Sequence, residues 1–411
     1  MYSFVLLALL AAGPMTLAQI ESEALANNPE IQSAGHQTRI AEARLGSAAA
    51  TDDPQFAYRA WSTPVFQPWN VNQTQHMFMF TESIPARGKR ALQYLIASDD
   101  IDIQAFGVEA KKREIAATVR QAFYRLLRSD DQIRIHHDEA ALAEQAIEAM
   151  RIQYTSGRAS QQDVLKAGVA YSRLAEHQIT LEREADSART ELNTLMGRPP
   201  DQPLEIEGEY GIIDKLPSQD ELRNLAIANR PELQALNLMV RQGERKAELA
   251  GKGLKPDYTI SAGYMLNPAG SSNRSGWLGE LSMTLPWLNR GKHNSEIQQA
   301  REETAAIRAE YQKQLSAISR EIRDAFIRVD AARRVIALYR DTLRPGVQSV
   351  SKAATVAYQT NQASLVNVLD TQSMSIDIEY ALFNALTDYE QSVADLERAI
   401  GISLPGERKP L

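Results

Sequence analysis

The sequence predicts an α+β membrane protein in which long coiled-coil helices occur twice and four β-strands per chain contribute to a transmembrane barrel. Three observations support this fold class. A short motif occurs twice, with its copies beginning at Tyr154 and Tyr358, 204 residues apart. Apolar residues recur at steps of four and three along the segment before each copy. A pair of alternating apolar and polar segments precedes each of those long helices.

Composition permits two or three domains and excludes several kinds of site. The chain has 411 residues, of which 44% are hydrophobic and 24% charged. It contains no Cys, which excludes disulfides, thiolate metal sites and Cys nucleophiles. The net charge of −7 gives no reason to expect nucleic acid as a partner. We find no nucleophile–base pair, phosphate loop or metal-ligand cluster, so we expect neither an enzyme nor a cofactor.

The first residues are predicted to be a secretory signal peptide, residues 1–18. An apolar run at 4–12 is followed by small residues that end at Ala18. The run is too short to span a membrane as a helix. We therefore expect an exported, unlipidated chain that starts at Gln19.

The repeated motif predicts two helical hairpins. Gly157 and Asn361 tolerate a positive φ and can each end a helix. Ser160 and Ser364 follow three residues later, where a hydroxyl can cap the next helix. We call residues 154–165 the first tip and residues 358–369 the second tip.

The duplication extends over most of the chain and defines the predicted domains. The motif around Ala26–Ile31 recurs at Ala228–Leu233. The first repeat covers 19–200, a linker rich in Pro and acidic residues covers 201–218, the second repeat covers 219–405, and 406–411 is a C-terminal tail. Each repeat is predicted to begin with one helix, at 20–50 and 219–251 respectively.

Strand pairs are predicted at about 55–84 and about 256–286. In the second pair Tyr258, Ile260 and Tyr264 share one face while Ser261 lies on the other, and Met265 breaks the alternation. Strands of about ten residues with one apolar face fit a transmembrane barrel. Four strands cannot close a barrel, and lipid does not tolerate open edges, so several chains must combine.

The long helices carry an apolar stripe, which we call the seam. Its positions in the first repeat are Ile115, Val119, Ala122, Leu126, Ser129, Ile133, His136, Ala140, Ala143, Ile147, Met150 and Tyr154. In the second repeat they are Ile318, Ile322, Ala325, Val329, Ala332, Ile336, Tyr339, Leu343, Gly346 and Val350. This spacing is typical of coiled coils. Pro345 removes a backbone hydrogen bond and is predicted to kink the second helix.

Two groups of residues invite a metal-site interpretation that we do not favour. The segment His76–Met79 contains an imidazole and two thioethers, which are soft-metal ligands, but strand alternation alone explains it. His136 and His137 are interpreted as partly exposed helix positions. We therefore predict no metal site.

Duplication, tips, long helices and strand pairs together resemble the TolC-type outer-membrane efflux channel family, and the segment Arg87–Arg90 resembles its heavy-metal branch. The resemblance implies a homotrimer with a twelve-stranded barrel in the outer-membrane lipid and a helical tunnel through the periplasm. It also implies two partners, a periplasmic adaptor (a membrane fusion protein) and an inner-membrane RND-type pump, with the channel itself passive.

The same resemblance implies roles for residues at the tips. Asp370 and Asn367 match two positions that line the periplasmic aperture, where Asn367 lacks the usual carboxylate. Tyr358 and Asp163 match a contact that holds the aperture closed. The adaptor docks on the tips, here marked by Gly157, Ser160, Asn361 and Ser364.

Two other functions remain open at this stage. The helices alone could form a soluble periplasmic coiled-coil scaffold or an adaptor, although neither needs two amphipathic strand pairs. The channel could also be the exit duct of a type I protein secretion system. Nothing in the sequence distinguishes heavy metals, drugs or proteins as the exported substrate.

Overall fold

The computed structural model describes residues 13–61, 66, 73–157, 160–268, 275–360, 362–405 and 408–410. Most of the predicted signal peptide and Asn361 of the second tip lie outside the described residues. The side chain of Asp163 also lies outside them, although its backbone belongs to a described helix.

Helices dominate the chain, and two pairs of strands interrupt them. In chain order the elements are α1 (Leu17–Asn27), α2 (Pro29–Ala48), β1 (Gln55–Trp61), β2 (Gln75–Ile84), α3 (Lys89–Thr155), α4 (Gln161–Leu195), β3 (Gly211–Ile213), α5 (Gln219–Asn229), α6 (Pro231–Lys252), β4 (Tyr258–Leu266), β5 (Gly276–Met283), a 3₁₀ turn (Pro286–Asn289), α7 (Arg290–Leu338), a π-helical turn (Tyr339–Leu343), α8 (Arg344–Gln359), α9 (Leu365–Ile400) and β6 (Arg408–Pro410). Within the described part of the chain, no helix combines the length and the hydropathy that crossing a membrane requires.

The chain divides into two compact units that do not follow the repeats. One unit contains residues up to 33 together with 109–231 and 315–411, and the other contains 34–108 and 232–314. Each unit therefore draws segments from both repeats. The domain boundaries stay a prediction about the sequence duplication and do not describe compact bodies.

The prediction of one helix at the start of each repeat is wrong, because each is broken at the residue before a proline. Asn28 has ψ 126° and Arg230 has ψ 117°, both extended. A proline ring disfavours helical geometry in the preceding residue, and Pro29 and Pro231 then begin the next helix. The Asn28 side chain accepts a hydrogen bond from the Glu30 N–H at 2.9 Å, which caps α2.

The four longer strands form one antiparallel sheet in the order β1-β2-β4-β5. The register places the large apolar side chains on one face, and they are exposed: Phe56, Tyr58, Phe78, Phe80, Ile84, Tyr258, Ile260, Leu266, Trp277, Leu281 and Met283. On the opposite face Ser261 is buried and its hydroxyl lies 2.9 Å from that of Thr81. The predicted alternation is therefore confirmed, with the apolar face turned outward.

The predicted linker and the predicted C-terminal tail pair with each other. β3 and β6 form a two-stranded antiparallel sheet, with Ile212 opposite Lys409. The buried carboxylate of Glu390 accepts from the Gly211 N–H at 3.0 Å and from the Arg408 guanidinium at 3.0 Å. The Tyr389 hydroxyl accepts from the Ile213 N–H at 2.8 Å. Strands of three residues carry no usable periodicity, which is why sequence patterns miss this sheet.

In the first repeat the seam is buried or half-buried as predicted except at its last position, Tyr154, which is 47% exposed. In the second repeat it is buried or half-buried up to the π-helical turn, and there the prediction fails. Ile322, Ala325, Val329 and Ile336 are almost fully buried. Beyond the turn the predicted positions Gly346 and Val350 are exposed, while Val347 is only 5% exposed. The Arg344 N–H donates to the Tyr339 carbonyl, five residues back. A π-helical turn accommodates one extra residue and so moves the buried stripe by one position.

Candidate functional site: the two tips and the cavity behind them

The first tip turns at a glycine in the left-handed region. Gly157 has φ +72°, and its N–H donates to the Tyr154 carbonyl at 3.0 Å. A Cβ added at Gly157 would meet no atom within 4 Å, so only backbone strain opposes a larger residue. Ser160 directly precedes α4, and its carbonyl accepts from the Val164 N–H at 3.4 Å. The predicted positive φ at Gly157 is confirmed.

The second tip is closed by backbone bonds and a serine cap. Gln362 and Ala363 donate their N–H groups to the Ala357 carbonyl at 2.7 and 3.2 Å. The Ser364 hydroxyl accepts from the Asn367 N–H at 3.4 Å and is the N-cap of α9, as predicted. The positive φ expected at Asn361 stays a prediction, because that residue lies outside the described part of the chain.

A hydrogen bond joins α3 and α8 next to the tips. The Tyr358 hydroxyl accepts from the Gln153 side-chain amide at 3.2 Å, and both residues are half-buried. The predicted contact between Tyr358 and Asp163 stays a prediction, since the Asp163 side chain is not described. The sequence does not reveal this contact, because Gln153 and Tyr358 are 205 residues apart and no motif links them.

Asp370 and Asn367 are both exposed side chains of α9 in the described chain. They are three residues apart on the helix, and Val368 between them is 7% exposed. Among the described residues Asp370 takes part in no ion pair. The aperture role of Asp370 and Asn367 stays a prediction.

On the same helices as the tips, α3, α4 and α9 line a half-open cavity of about 570 Å³. Its polar lining includes the carboxylates of Glu139, Glu176 and Asp377 together with Arg173 and His177. The sequence pattern does not reveal this cavity. One signal in the sequence was available. Asp377 follows Asp370 by about two helical turns, so the two carboxylates lie on the same side of α9.

His136 is buried next to the cavity, and its interpretation as a partly exposed residue is wrong. Its side chain is 1% exposed. Nδ1 lies 3.4 Å from the Tyr380 hydroxyl and 3.8 Å from Glu139 Oε2. The His177 ring packs edge-on against it, with centroids 5.7 Å apart. His136 occupies a seam position, which explains its burial, while the neighbouring His137 is exposed.

The charge of this region changes near neutral pH. Burial, reinforced by the charge of Asp377, raises the pKa of Glu139 to about 7. Burial and the neighbouring His177 lower the pKa of His136, so its imidazole is predominantly neutral at pH 7. Within the described ranges no three His, Asp or Glu side chains are placed to hold a metal ion together. Glu139 is therefore a cavity side chain whose charge changes near neutral pH.

A family model matches the chain in two segments. The family is described as outer membrane efflux protein, and the matches cover residues 20–198 and 222–402. The two segments lie close to the two repeats that the tips define.

Individual relatives resemble nearly the whole chain. The cobalt-zinc-cadmium resistance protein CzcC of Cupriavidus metallidurans is 25% identical over 405 residues, which are 95% of this chain and 91% of that protein. The outer membrane protein TolC of Escherichia coli is 21% identical over 94% of this chain and 82% of its own length. The crystal structure of the CmeC outer membrane channel of Campylobacter jejuni superposes with a TM-score of 0.79 at 15% identity, covering 94% of this chain and 85% of that one.

Proposed function

Because this chain belongs to the outer membrane efflux protein family, we propose that it is the outer-membrane channel of a tripartite efflux system. It would receive substrate from a periplasmic adaptor and an inner-membrane pump of the RND type and conduct it passively to the exterior. No catalytic step and no cofactor are required of it. Its strands belong in the outer membrane and its helices form the periplasmic tunnel.

The observation that carries this proposal is the sheet with its exposed apolar face. Trp277 is 84% exposed, Leu281 71% and Phe56 69%, which water does not favour on a surface of this size. Lipid contact would bury these side chains, while the opposite face, with Thr81 and Ser261, would line an aqueous lumen. β1 and β5 are edge strands, and their unpaired backbone groups must be satisfied within a bilayer. Three copies in a ring of twelve strands would satisfy them.

The tips are proposed to dock on the adaptor, and the residues beside them to control the aperture. Gly157, Ser160 and Ser364 shape the two turns that would meet the adaptor, and Asn361 is proposed to belong to the second docking surface. Tyr358 would hold the tips together, through Gln153 and through the proposed contact with Asp163. Three copies of Asp370 would ring the axis, with Asn367 adding hydrogen-bonding capacity and no charge.

Heavy-metal cations are the substrate class that we favour. The support is the similarity to a cobalt-zinc-cadmium resistance protein over nearly the whole chain, together with the ring of carboxylates proposed at the aperture. A negative ring concentrates cations and disfavours anions.

Localisation, assembly and substrate can be tested in cells. The protein is expected to fractionate with outer membranes and to be extracted by detergent as a trimer. Deleting its gene is expected to increase the toxicity of divalent metal salts more than that of organic drugs. A water-soluble monomer that keeps its full β content would contradict the channel proposal. A deletion that sensitises cells only to drugs would contradict the substrate class.

The role of charge at the aperture is tested by two substitutions that change the number of carboxylates in opposite directions. Asp370→Asn should remove the ring of carboxylates, while Asn367→Asp should add a second ring. In planar bilayers we expect cation selectivity and block by multivalent cations to fall about tenfold in the first variant and to rise in the second. Glu148→Gln changes an exposed carboxylate (65% exposed) elsewhere on α3 and is the matched control. Equal selectivity and block in all three variants would overturn the aperture assignment.

A further inference from the structure

Three methionines lie together on the sheet face opposite the exposed apolar face. Met77 on β2 pairs directly with Met265 on β4. Met79 lies two residues along β2 and therefore on the same face. Met265 is the residue that interrupts the apolar-polar alternation of β4, and the pairing with Met77 gives it a partner. Three thioethers thus come from two neighbouring strands.

The spacing allows the three sulfur atoms to converge. Directly opposed residues on antiparallel strands have Cβ atoms about 5 Å apart, and diagonal neighbours about 7–8 Å. Met79 faces Gly263, and a Cβ added to Gly263 would lie 2.5 Å from Met79 Sδ. The Met79 sulfur therefore lies over β4, which is the strand that carries Met265. Each thioether has three rotatable bonds, so small adjustments can bring the sulfurs together.

The surroundings of the three methionines leave space and limit water access. Ala57, Gly263 and Gly276 are three of their direct cross-strand neighbours and present no bulky side chain, whereas Leu278, opposite Gly263 on β5, lies diagonal to Met265. Met79 is only 4% exposed, while Met77 and Met265 are half-buried. A bound ion would approach from the Met77–Met265 side. Arg59, opposite Met77 on β1, is exposed, and its long side chain can turn its charge away.

His76 does not belong to this cluster, although it precedes Met77 in the sequence. It lies on the other face of the sheet, where its Nδ1 is 2.7 Å from the Tyr58 hydroxyl. Its ring also stacks against Tyr58, with centroids 5.9 Å apart. The structure therefore separates the imidazole from the thioethers and brings in Met265 from the second repeat.

We propose that Met77, Met79 and Met265 form a binding site for a soft monovalent metal ion, Cu(I) or Ag(I). Thioether sulfur is a neutral, polarizable ligand that selects soft ions, whereas borderline or hard divalent ions prefer imidazole, thiolate and oxygen. Binding is a simple coordination that needs no redox partner. This site goes beyond the proposed function. Its assignment depends on the strand register, and metal binding to it can be measured without any transport assay.

The test uses the purified full chain in detergent, labelled with ¹³C at the methionine methyl groups. We expect silver nitrate, in chloride-free buffer, to shift the resonances of Met77, Met79 and Met265 until one equivalent per chain is bound. Met283 is the internal reference, since it is exposed on the opposite face of the same sheet. Zn²⁺ should leave all four resonances in place. Silver shifts of equal size at Met283 would mean non-specific thioether binding and would overturn the proposal.

Substitutions separate the site from general packing. Leucine matches methionine in volume and preserves the fold, which circular dichroism and trimer size would check. Met77→Leu and Met265→Leu should each weaken Ag(I) binding tenfold or more, while Met283→Leu should leave it unchanged. Wild-type affinity in the Met77→Leu/Met265→Leu double variant would overturn the assignment. Channel activity does not enter this measurement, so failure of the efflux proposal would leave its result unaffected.

Discussion

The long helices of the two repeats differ at one place, and the difference shows how a duplicated helix absorbs an extra residue. In the first repeat α3 runs for 67 residues without interruption. In the second repeat the corresponding helix is divided into α7 and α8 by the π-helical turn Tyr339–Leu343. Pro345 is the second residue after the turn and has no N–H to donate to the carbonyl four residues back.

The spacing of matched residues explains the turn. Phe123 and Phe326 are 203 residues apart, whereas Tyr154 and Tyr358 are 204 apart, so the second repeat holds one additional residue between these points. A continuous α-helix would carry this extra residue as a rotation of 100° for everything beyond it. A π-helical turn contains the extra residue locally.

Seam positions on either side of the turn confirm this explanation. Ile336, before the turn, corresponds to Ile133 at the offset of 203. Val347, after it, corresponds to Ala143 at the offset of 204, and it is buried. The seams of the two repeats therefore agree again before the tips are reached. The lesson is that a local distortion can preserve a long-range packing register.

The largest effect is expected from deleting one residue where no π-helical turn exists. Removal of the exposed Ala141 from α3 rotates Ala143, Ile147 and Met150 out of the seam. Losing the burial of Met150 and the half-burial of Ile147 costs about 3 kcal/mol. Thermal unfolding followed at 222 nm should show a large fall in the midpoint. An unchanged midpoint would mean that α3 tolerates register slips as readily as its counterpart.

A smaller, pH-dependent effect is expected at Glu139, which corresponds to Thr342 in the second repeat. Its pKa is about 7 in the folded chain against an ordinary value of 4.5, so the folded state binds the proton more tightly. The raised pKa of Glu139 therefore contributes up to about 3 kcal/mol to the free energy of unfolding. This contribution is fully present below pH 4.5 and is lost as the pH rises through 7. Its side chain is 15% exposed, so solvent screening is limited.

Glu139→Gln should accordingly stabilise the protein at pH 8 and have little effect at pH 4.5. The measurement compares thermal midpoints of the variant and the wild type at both pH values. Glu148→Gln, on the same helix but exposed, should shift neither midpoint. A stabilisation by Glu139→Gln that is equal at both pH values would refute a protonation-linked effect.

The smallest effect distinguishes two valines that follow the π-helical turn. Val347→Ala removes a buried side chain and should cost about 1–2 kcal/mol, whereas Val350→Ala, at a position 50% exposed, should cost less than about 0.5 kcal/mol. Denaturant unfolding of the two variants would decide between them. The uninterrupted heptad assumed from sequence gives the opposite order, with Val350 the costlier site.

Much of the fold could be predicted because helical and strand periodicity are local signals. The seam of α3, the strand alternation and the Ser364 cap all follow from residue types that are two to four positions apart in the sequence. The seam after Pro345 could not be predicted by extending the heptad, since a missing N–H can end, kink or shift a helix. The available signal for a shifted seam was the change in repeat spacing, from 203 residues between Phe123 and Phe326 to 204 between Tyr154 and Tyr358.

The site was predictable only where the duplication marks it. Gly157 and Ser364 occupy equivalent turns and were found from their chemistry. The cavity with Glu139, His177 and Asp377 was missed, because it is formed by side chains from three helices far apart in sequence. The methionine cluster was missed for the same reason, since Met265 joins Met77 only once the register between strands of different repeats is known.

Deleting Pro345 tests most directly the claim that the π-helical turn holds one extra residue. The deletion removes both the additional residue and the missing N–H, and it moves Val347 into the next seam position of a continuous α-helix. We predict that this variant assembles normally and unfolds at or above the wild-type midpoint, in contrast to the Ala141 deletion. A fall in the midpoint as large as that caused by deleting Ala141 would contradict the account.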